Sequence, residues 1–317
     1  MQISGLFRKK QDNHQISGIS IERDRVSFVS VNSKTGICVE KAASQSFEGD
    51  DWQKAFSELV RSQRVKGDVY ICLAAEQYNL LLIDAPDVPE EELSEAIKWR
   101  VKDLISQPIE DVIVDSFSLP DDAYRGRMKM VYAAVIEKSI IQQVVDLCES
   151  HDLSLQAISV AELAVSNLLF TSGLMEDGSA GLVSFDQYAG HVRLVESGNL
   201  YLSRNVDIGL DRLSGLNEES LGEYDYAQIN EVMMDVQRSL DFYESQLGKG
   251  NVEKIVLLPA PVNVNKLAEV LDEKMPVKVE PWYWHSAENY TLKLQEMGAL
   301  DSSYYALGAV AGGWLEN

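Results

Sequence analysis

The side chains that could do chemistry are few and scattered. Four histidines, His14, His151, His191 and His285, could act as general bases or metal ligands, but no ligand spacing links them. Each reads most simply as a surface or structural residue. Three cysteines, Cys38, Cys72 and Cys148, are odd in number and far apart, with no CxxC. Neither a disulfide framework nor a thiolate zinc site follows from them. The chain holds no GxSxG, HExxH, GxxxxGK[ST] or GxGxxG, the patterns that build an acyl nucleophile, a zinc protease or a phosphate cradle. The aromatic run PWYWH at 281–285 is rich enough to hold a partner or a base, and packing under a loop accounts for it more simply. Glu90, Glu91 and Glu92 suit a helix start better than a metal site.

The composition says what must position such groups. With 317 residues, about 150 per domain suggests two domains or one two-lobed one. Apolar residues make up 45% and charged ones 25%, enough for a sizeable core. Lys and Arg number 28 against 50 Asp and Glu, a net charge of −22 that repels nucleic acid and anionic lipid. The exception is the tip MQISGLFRKK, where Arg8, Lys9 and Lys10 follow Leu6 and Phe7. It could touch a membrane surface or simply fray. It has no apolar core of the kind a secretory signal needs. The runs IVLLPAPV and ALGAVAGGWL fall far short of the roughly 20 residues of a membrane span. The expectation is a cytosolic chain unless a partner tethers it.

Periodicity supplies the elements. Residues 16–32 read as two strands with a tight turn near Arg23 and Asp24. Strand-like runs recur at 69–73, 78–83, 112–118 and 128–136. In 90–105, Leu93, Ile97, Val101, Leu104 and Ile105 fall on one helical face, with Pro89 near the start and Trp99 off the stripe. A second helix covers 138–150. The Gly-, Ser- and acid-rich stretch 171–180 marks a lobe boundary. Beyond it, 181–204 reads as three strands. A helix at 226–247 follows, with the stripe Ile229, Met233, Val236, Leu240, Tyr243 and Leu247 ended by Gly248 and Gly250. A buried-type strand at 254–261, a helix at 264–273, a strand at 276–280 and a small-residue closing helix complete the chain.

The two halves open alike. Ile19, Ser20, Ile21 and Glu22 match Val183, Ser184, Phe185 and Asp186, which lie 164 residues further on. With two residues inserted in the second turn, VSFVSV matches VRLVES. Mixed strands and helices follow each copy, so the pattern suggests a duplicated α/β fold with a cleft between its lobes.

Four stretches resemble the PilM-like proteins of type IV pilus machines, which have the actin-like (FtsA-like) fold. They are APDVPEEELSEAIKWRVKDLISQPIEDVIVDSFSL (85–119), MVYAAVIEKSIIQQVVDLCESHDLSLQAISVAELAVSNLL (130–169), NEVMMDVQRSLDFYESQ (230–246) and SYYALGAVAGG (303–313). The resemblance runs from about residue 15 to the end. It implies an N-terminal tail at 1–14 and a first lobe at 15–77 and 136–175. An inserted FtsA-like subdomain then spans 78–135, and a second lobe spans 176–317 with its last helix returning to the first. It also implies that a groove between insert and first lobe takes the cytoplasmic N-terminus of a PilN-like inner-membrane protein, which would hold the chain at the membrane. Position in that scheme singles out Tyr78, Trp99 and Tyr132 for docking. An assembly ATPase or platform protein is a further contact the resemblance suggests, and pairing of two copies stays open.

Active actin-like proteins carry an Asp and a Gly in each of two phosphate hairpins. The Asp organises Mg²⁺ and water, and the Gly lets backbone amides approach phosphate. This chain has Ser20 and Glu22 at the first pair of positions and Ser184 and Asp186 at the second. The Gly-Gly turn on the adenosine side is replaced by Pro259, Ala260 and Pro261 after Leu258, and each proline removes an amide donor and φ freedom. A carboxylate about 5 Å from a phosphate charge costs roughly 3 kcal/mol at an effective dielectric near 20. The favoured reading is therefore a scaffold with a degenerate nucleotide site, no catalytic residues, no metal and no cofactor. The alternative is a divergent Mg-ATP-binding ATPase of the same fold that uses Asp24 or Asp186.

Overall fold

In the computed structural model the opening hairpin forms as β1 (Gln15–Ile21) and β2 (Arg25–Asn32), in antiparallel register with Ile21 opposite Val26. The structure describes residues 15–32, 37–173, 178–284, 289–293 and 297–315. The basic tip, His14, His285 and part of the 171–180 stretch lie outside them. The chain divides into two units. Unit 1 takes residues up to Leu119, then Met128–Leu168, then Asn289 onward, and unit 2 takes Pro120–Arg127 and Leu169–Glu288.

In unit 1 the hairpin continues into β3 (Ile37–Ser46) and α1 (Trp52–Gln63). Trp52, Ala55, Phe56, Leu59 and Val60 recur at helical spacing and bury one face of α1, which ends where Arg64 turns left-handed at φ 55°. Next come β4 (Gly67–Leu73) and β5 (Tyr78–Asp84). Pro89 and the three glutamates precede and open α2 (Glu90–Val101). This helix stops four residues before the end of the expected stripe. Leu104 therefore leaves the apolar face and stands 58% exposed. The unit continues with β6 (Val112–Ser118), β7 (Met130–Glu137), α3 (Lys138–Ser150), β8 (Leu153–Val160) and the start of α4 (Ala161–Thr171).

Unit 2 carries β9 (Ser179–Phe185), β10 (Gly190–Glu196), β11 (Asn199–Val206) and α5 (Glu223–Ser245). It closes with β12 (Lys254–Leu257), α6 (Val264–Lys274) and β13 (Lys278–Pro281). The strand expected over 254–261 ends at Leu257, because the two prolines beyond it supply no ladder amides. The chain then returns to unit 1 as β14 (Tyr290–Leu292), α7 (Met297–Asp301) and α8 (Tyr304–Leu315).

The sheets record a duplication. Unit 1 has the order β14-β3-β2-β1-β4-β8, and unit 2 has β11-β10-β9-β12-β13. Apart from β14, the second repeats the first strand for strand, and the last three strands of each, β1-β4-β8 and β9-β12-β13, are parallel. Unit 1 alone inserts a separate three-stranded antiparallel sheet, β5-β7-β6. The register corrects one expectation. Phe185 stands opposite Gly190 as Ile21 stands opposite Val26, so the two turns have equal length and nothing is inserted in the second. Val26 therefore matches Gly190, and Ser27 matches His191.

Unit 1 packs Ile19, Ile21, Phe28, Phe56, Ile71 and Leu73 into one core. A smaller core of Ile83, Ile97, Val101, Val131, Ala133 and Val135 lies between α2 and one face of the three-stranded sheet. The small residues of α8 permit close approach: a Cβ on Gly308 would come within 2.1 Å of the Ala164 carbonyl oxygen.

Candidate functional site

In each unit three parallel strands end side by side, and the residues just past those ends form that unit's own candidate site. In unit 1, Ile21 pairs with Leu73 and Leu73 with Val160, so Glu22, Ala74 and Ala161 follow at one edge. In unit 2, Val183 pairs with Leu257 and Leu257 with Pro281. The turn at Asp186, the segment from Leu258 to Pro261, and Trp282 follow there. Ligands of open α/β sheets gather at such carboxyl ends, so these are the places to test for ligand chemistry.

The first turn is closed on its own acid. The Glu22 amide donates to the Arg25 carbonyl at 2.9 Å. Its carboxylate Oε1 accepts from Ser20 Oγ at 2.8 Å and from Ser27 Oγ at 3.0 Å, while Arg25 Nε lies 3.7 Å from Oε2. Ser20 and Ser27 are fully buried, and the Glu22 side chain is 15% exposed. Burial pushes its carboxyl up to about 7, against the opposing pull of Arg25 and the two serines. Asp24 is half exposed and accepts from Arg25 Nε at 3.0 Å.

The second turn repeats the device with different partners. The Asp186 amide donates to the Ala189 carbonyl at 2.9 Å. Oδ1 of Asp186 accepts from the amides of Tyr188 at 2.8 Å and Ala189 at 2.9 Å, and Oδ2 lies 2.8 Å from His191 Nε2. His191 is buried, with Nδ1 3.0 Å from Asn205 Oδ1. Burial raises the Asp186 carboxyl, but the bonds from His191 and the two amides outweigh it and bring it down to about 2. Successive turn amides make an anion-binding concavity. Here the anion on two of them is the chain's own carboxylate. Ser184 is buried beneath, accepting from the fully buried Arg193 at 2.9 Å.

At the end of β12, the Leu258 amide donates to the Val183 carbonyl at 2.8 Å, and Trp282 N donates to the Leu257 carbonyl at 2.8 Å. Pro259 and Ala260 are half-buried and Pro261 is exposed. Trp282 and Trp284 are buried as an edge-to-face pair, so packing accounts for both tryptophans of the PWYWH run, and among its described residues only Tyr283 is open. Among the described residues, no group of three or more His, Cys, Asp or Glu is placed to hold a metal ion.

The three residues singled out for docking separate by burial. Trp99 is 59% exposed, with Lys102 Nζ 5.0 Å from its ring centroid. Tyr78 is buried in unit 1: its hydroxyl donates to Glu162 and accepts from the Ala161 amide at 3.1 Å. Tyr132 is buried beside Phe117 at 5.4 Å between ring centroids. The positions of Tyr78 and Tyr132 therefore bear on packing, and of the three only Trp99 presents its ring to solvent. The sequence reading missed Glu162, a buried acid at the start of α4, and the Asp186–His191–Asn205 chain. The five-residue step from Asp186 to His191 was a usable signal, because across a tight hairpin it places the two side chains together.

No protein-family model matches the chain, and none of the curated proteins matches it. Solved structures do. One described as a PilM-PilN type IV pilus biogenesis complex aligns over 95% of this chain and 98% of that one, with a TM-score of 0.72 at 17% identity. The cytoplasmic domain of EpsL, an inner-membrane component of the type II secretion system of Vibrio cholerae, aligns over 92% and 94% with a TM-score of 0.51 at 14% identity. A Bacteroides thetaiotaomicron protein with an actin-like ATPase fold and unknown function aligns over 91% and 96% with a TM-score of 0.50 at 12% identity. At these identities the likeness establishes the fold, which is actin-like.

Proposed function

We propose that the chain is a scaffold of a type IV pilus assembly machine of the PilM kind, nearest to the MSHA-pilus member MshI. In this reading it docks the N-terminal cytoplasmic peptide of a PilN-like inner-membrane protein and turns over no nucleotide. One observation carries the reading. The chain aligns with the PilM-PilN structure over 95% of its length, yet at the strand-end turns Glu22 takes the hydroxyls of Ser20 and Ser27, and Asp186 takes the amides of Tyr188 and Ala189. A triphosphate entering either turn would meet a carboxylate instead of open donors, and Coulomb repulsion then weakens binding by orders of magnitude. What remains useful is the shape.

The docking surface in this proposal is the three-stranded sheet of unit 1 with α2 and its exposed Trp99. Aromatic residues open to solvent on a rigid element are favoured contact anchors. No helix among the described residues is long and apolar enough to cross a membrane, so the partner supplies the membrane attachment. The peripheral location at the inner membrane is part of the proposal. So are any contact with an assembly ATPase or platform protein and any self-pairing.

Two titrations test it. The N-terminal segment of the PilN-like partner should bind saturably to the full chain, and Trp99→Ala should weaken that binding while leaving the melting temperature unchanged. Isothermal titration with Mg-ATP should give no binding heat. Clear ATP binding that Asp186→Ala abolishes would replace the scaffold with the divergent ATPase.

A further inference from the structure

The loop between β6 and β7 is fastened outside its own sheet. β6 ends at Ser118 and β7 starts at Met130, both in unit 1, yet Pro120–Arg127 between them belongs to unit 2. An ammonium sits at the centre of the fastening. Lys249, just past α5, donates to Asp122 Oδ2 of the loop and, at 3.3 Å, to the Tyr201 hydroxyl, and it pairs with Glu196 Oε2. Its Nζ lies 4.7 Å from the centroid of the Tyr201 ring. Tyr201 in turn donates to Asp122 Oδ1 at 2.7 Å, and Tyr243 donates to Glu196 Oε2 at 3.0 Å. The Lys249 side chain is 12% exposed and that of Asp122 59%. The cation is thus largely out of water, while the loop's own carboxylate is still mostly in it.

The backbone of the loop pulls the other way. Tyr124, Arg125 and Gly126 are all left-handed, with φ of 54°, 58° and 67°. Residues with side chains enter this region singly and at a cost, so two in succession need outside support. Unit 2 gives it. The Arg125 amide donates to the Leu247 carbonyl at 3.4 Å, and the Tyr124 ring meets Phe242 edge-on at 6.5 Å between centroids. The Arg125 stem lies over Gly248, where a Cβ would come 2.2 Å from its Cγ. Of the loop residues only Ala123 is buried. If the loop left, Lys249 would keep Glu196 and Tyr201, so no charge would be stranded without a partner. A few contacts set against stored backbone strain make a segment that opens by itself.

We propose that residues 120–127 are a releasable strap, shut by the Lys249–Asp122 pair and opened by relaxation of its left-handed run while both units stay folded. The inference goes beyond the scaffold reading and does not depend on it. Opening returns the loop from unit 2 to the inserted sheet whose strands it joins, and it turns Tyr124 out to water near the exposed Met128. Elements with two such states are what a bound partner can bias.

Hydrogen–deuterium exchange on the full chain, read by mass spectrometry, tests it. In the wild type the strap amides should be protected, but less than those of α3. Lys249→Met keeps the stem beside Tyr201 and removes the ammonium. It should lower strap protection by about tenfold and leave α3 and α6 unchanged. Asp122→Asn alters a side chain already open to water and should give the same selective loss in smaller measure, so it decides alone if Lys249→Met fails to fold. Arg125→Asn, a residue better suited to left-handed backbone, should raise strap protection. Unchanged protection in both charge variants overturns the inference. So does a loss that Asp122→Asn spreads evenly over the chain, which makes the pair a prop of the whole fold. A strap no better protected in Arg125→Asn removes the driving strain and overturns it as well. Wild-type strap amides that exchange only together with α3, or as fast as an unfolded chain, overturn it too, because the strap would then never open alone or never close.

Discussion

Asp186 and His191 face each other across the second hairpin at 2.8 Å, and Glu22 and Ser27 do the same across the first at 3.0 Å. Both pairs are five residues apart and occupy equivalent places in the two repeated sheets. The duplication has therefore kept the geometry, an acid just past the strand end reaching back to the opposite strand, and varied its partner. Because the partners differ, the two acids titrate in opposite senses, and stability should depend on pH in two separate windows.

The Asp186 carboxyl is held at about 2 in the folded chain, below its ordinary value of 3.8. The unfolded chain then binds more protons on acidification. The contribution, about 2 kcal/mol, is present above pH ~4 and is lost as pH falls through ~2. Urea unfolding at a series of pH values between about 2 and 5 should show this loss in the wild type. Asp186→Ala should be weaker throughout and flatter across that range. A variant as steep as the wild type would show that another group is responsible.

Glu22 runs the other way. Its carboxyl is raised from 4.5 to about 7, so the folded chain holds the proton more tightly. That stability is present below pH ~4.5 and is lost as pH rises through ~7, with an upper bound of about 3 kcal/mol. Glu22→Gln keeps an acceptor for the two serines and removes the charge. It should match the wild type near pH 5 and exceed it near pH 8 in thermal melts.

Tyr78→Phe removes a hydroxyl that serves both the buried Glu162 carboxylate and the Ala161 amide. Leaving buried polar groups short of a partner costs about 1–3 kcal/mol. Chemical denaturation should show a drop of that size with the denaturant slope unchanged. A neutral result would mean that water fills the place of the hydroxyl.

Gly308→Ala places a methyl group 2.1 Å from the Ala164 carbonyl oxygen, where neither backbone can yield cheaply. Overpacking of this kind costs typically about 1–3 kcal/mol. Gly49→Ala is a poor control because of its positive φ of 62°, whereas Gly250→Ala meets nothing and should be silent in the same calorimetric comparison.

Much of the fold was legible in the order of residues because it is carried by local periodicity. The strand at 112–118 and the helix at 138–150 form over those same residues. β3 and α1 were not read. β3 alternates half-buried and exposed residues such as Ala42, Ala43 and Ser44, which give no apolar rhythm. The shared opening of the two halves was visible, but its alignment slipped by two residues. A slip of two keeps every side chain on its own face of a strand, so alternation cannot detect it, and only pairing across the turn can.

Composition and periodicity alone settled the duplicated α/β class, the absence of a metal or nucleophile motif, and the acids at the two strand ends, since each of these depends on residue type and near neighbours. Tertiary structure decided which groups those acids hold and which aromatic rings stay in water. It also placed Asp115 in one row with Leu80 and Ala134. Such facts depend on residues far apart in the chain. Tyr78 meets Glu162, and Asp115 stands among Leu80 and Leu82, only because strands separated by loops and helices fold into register.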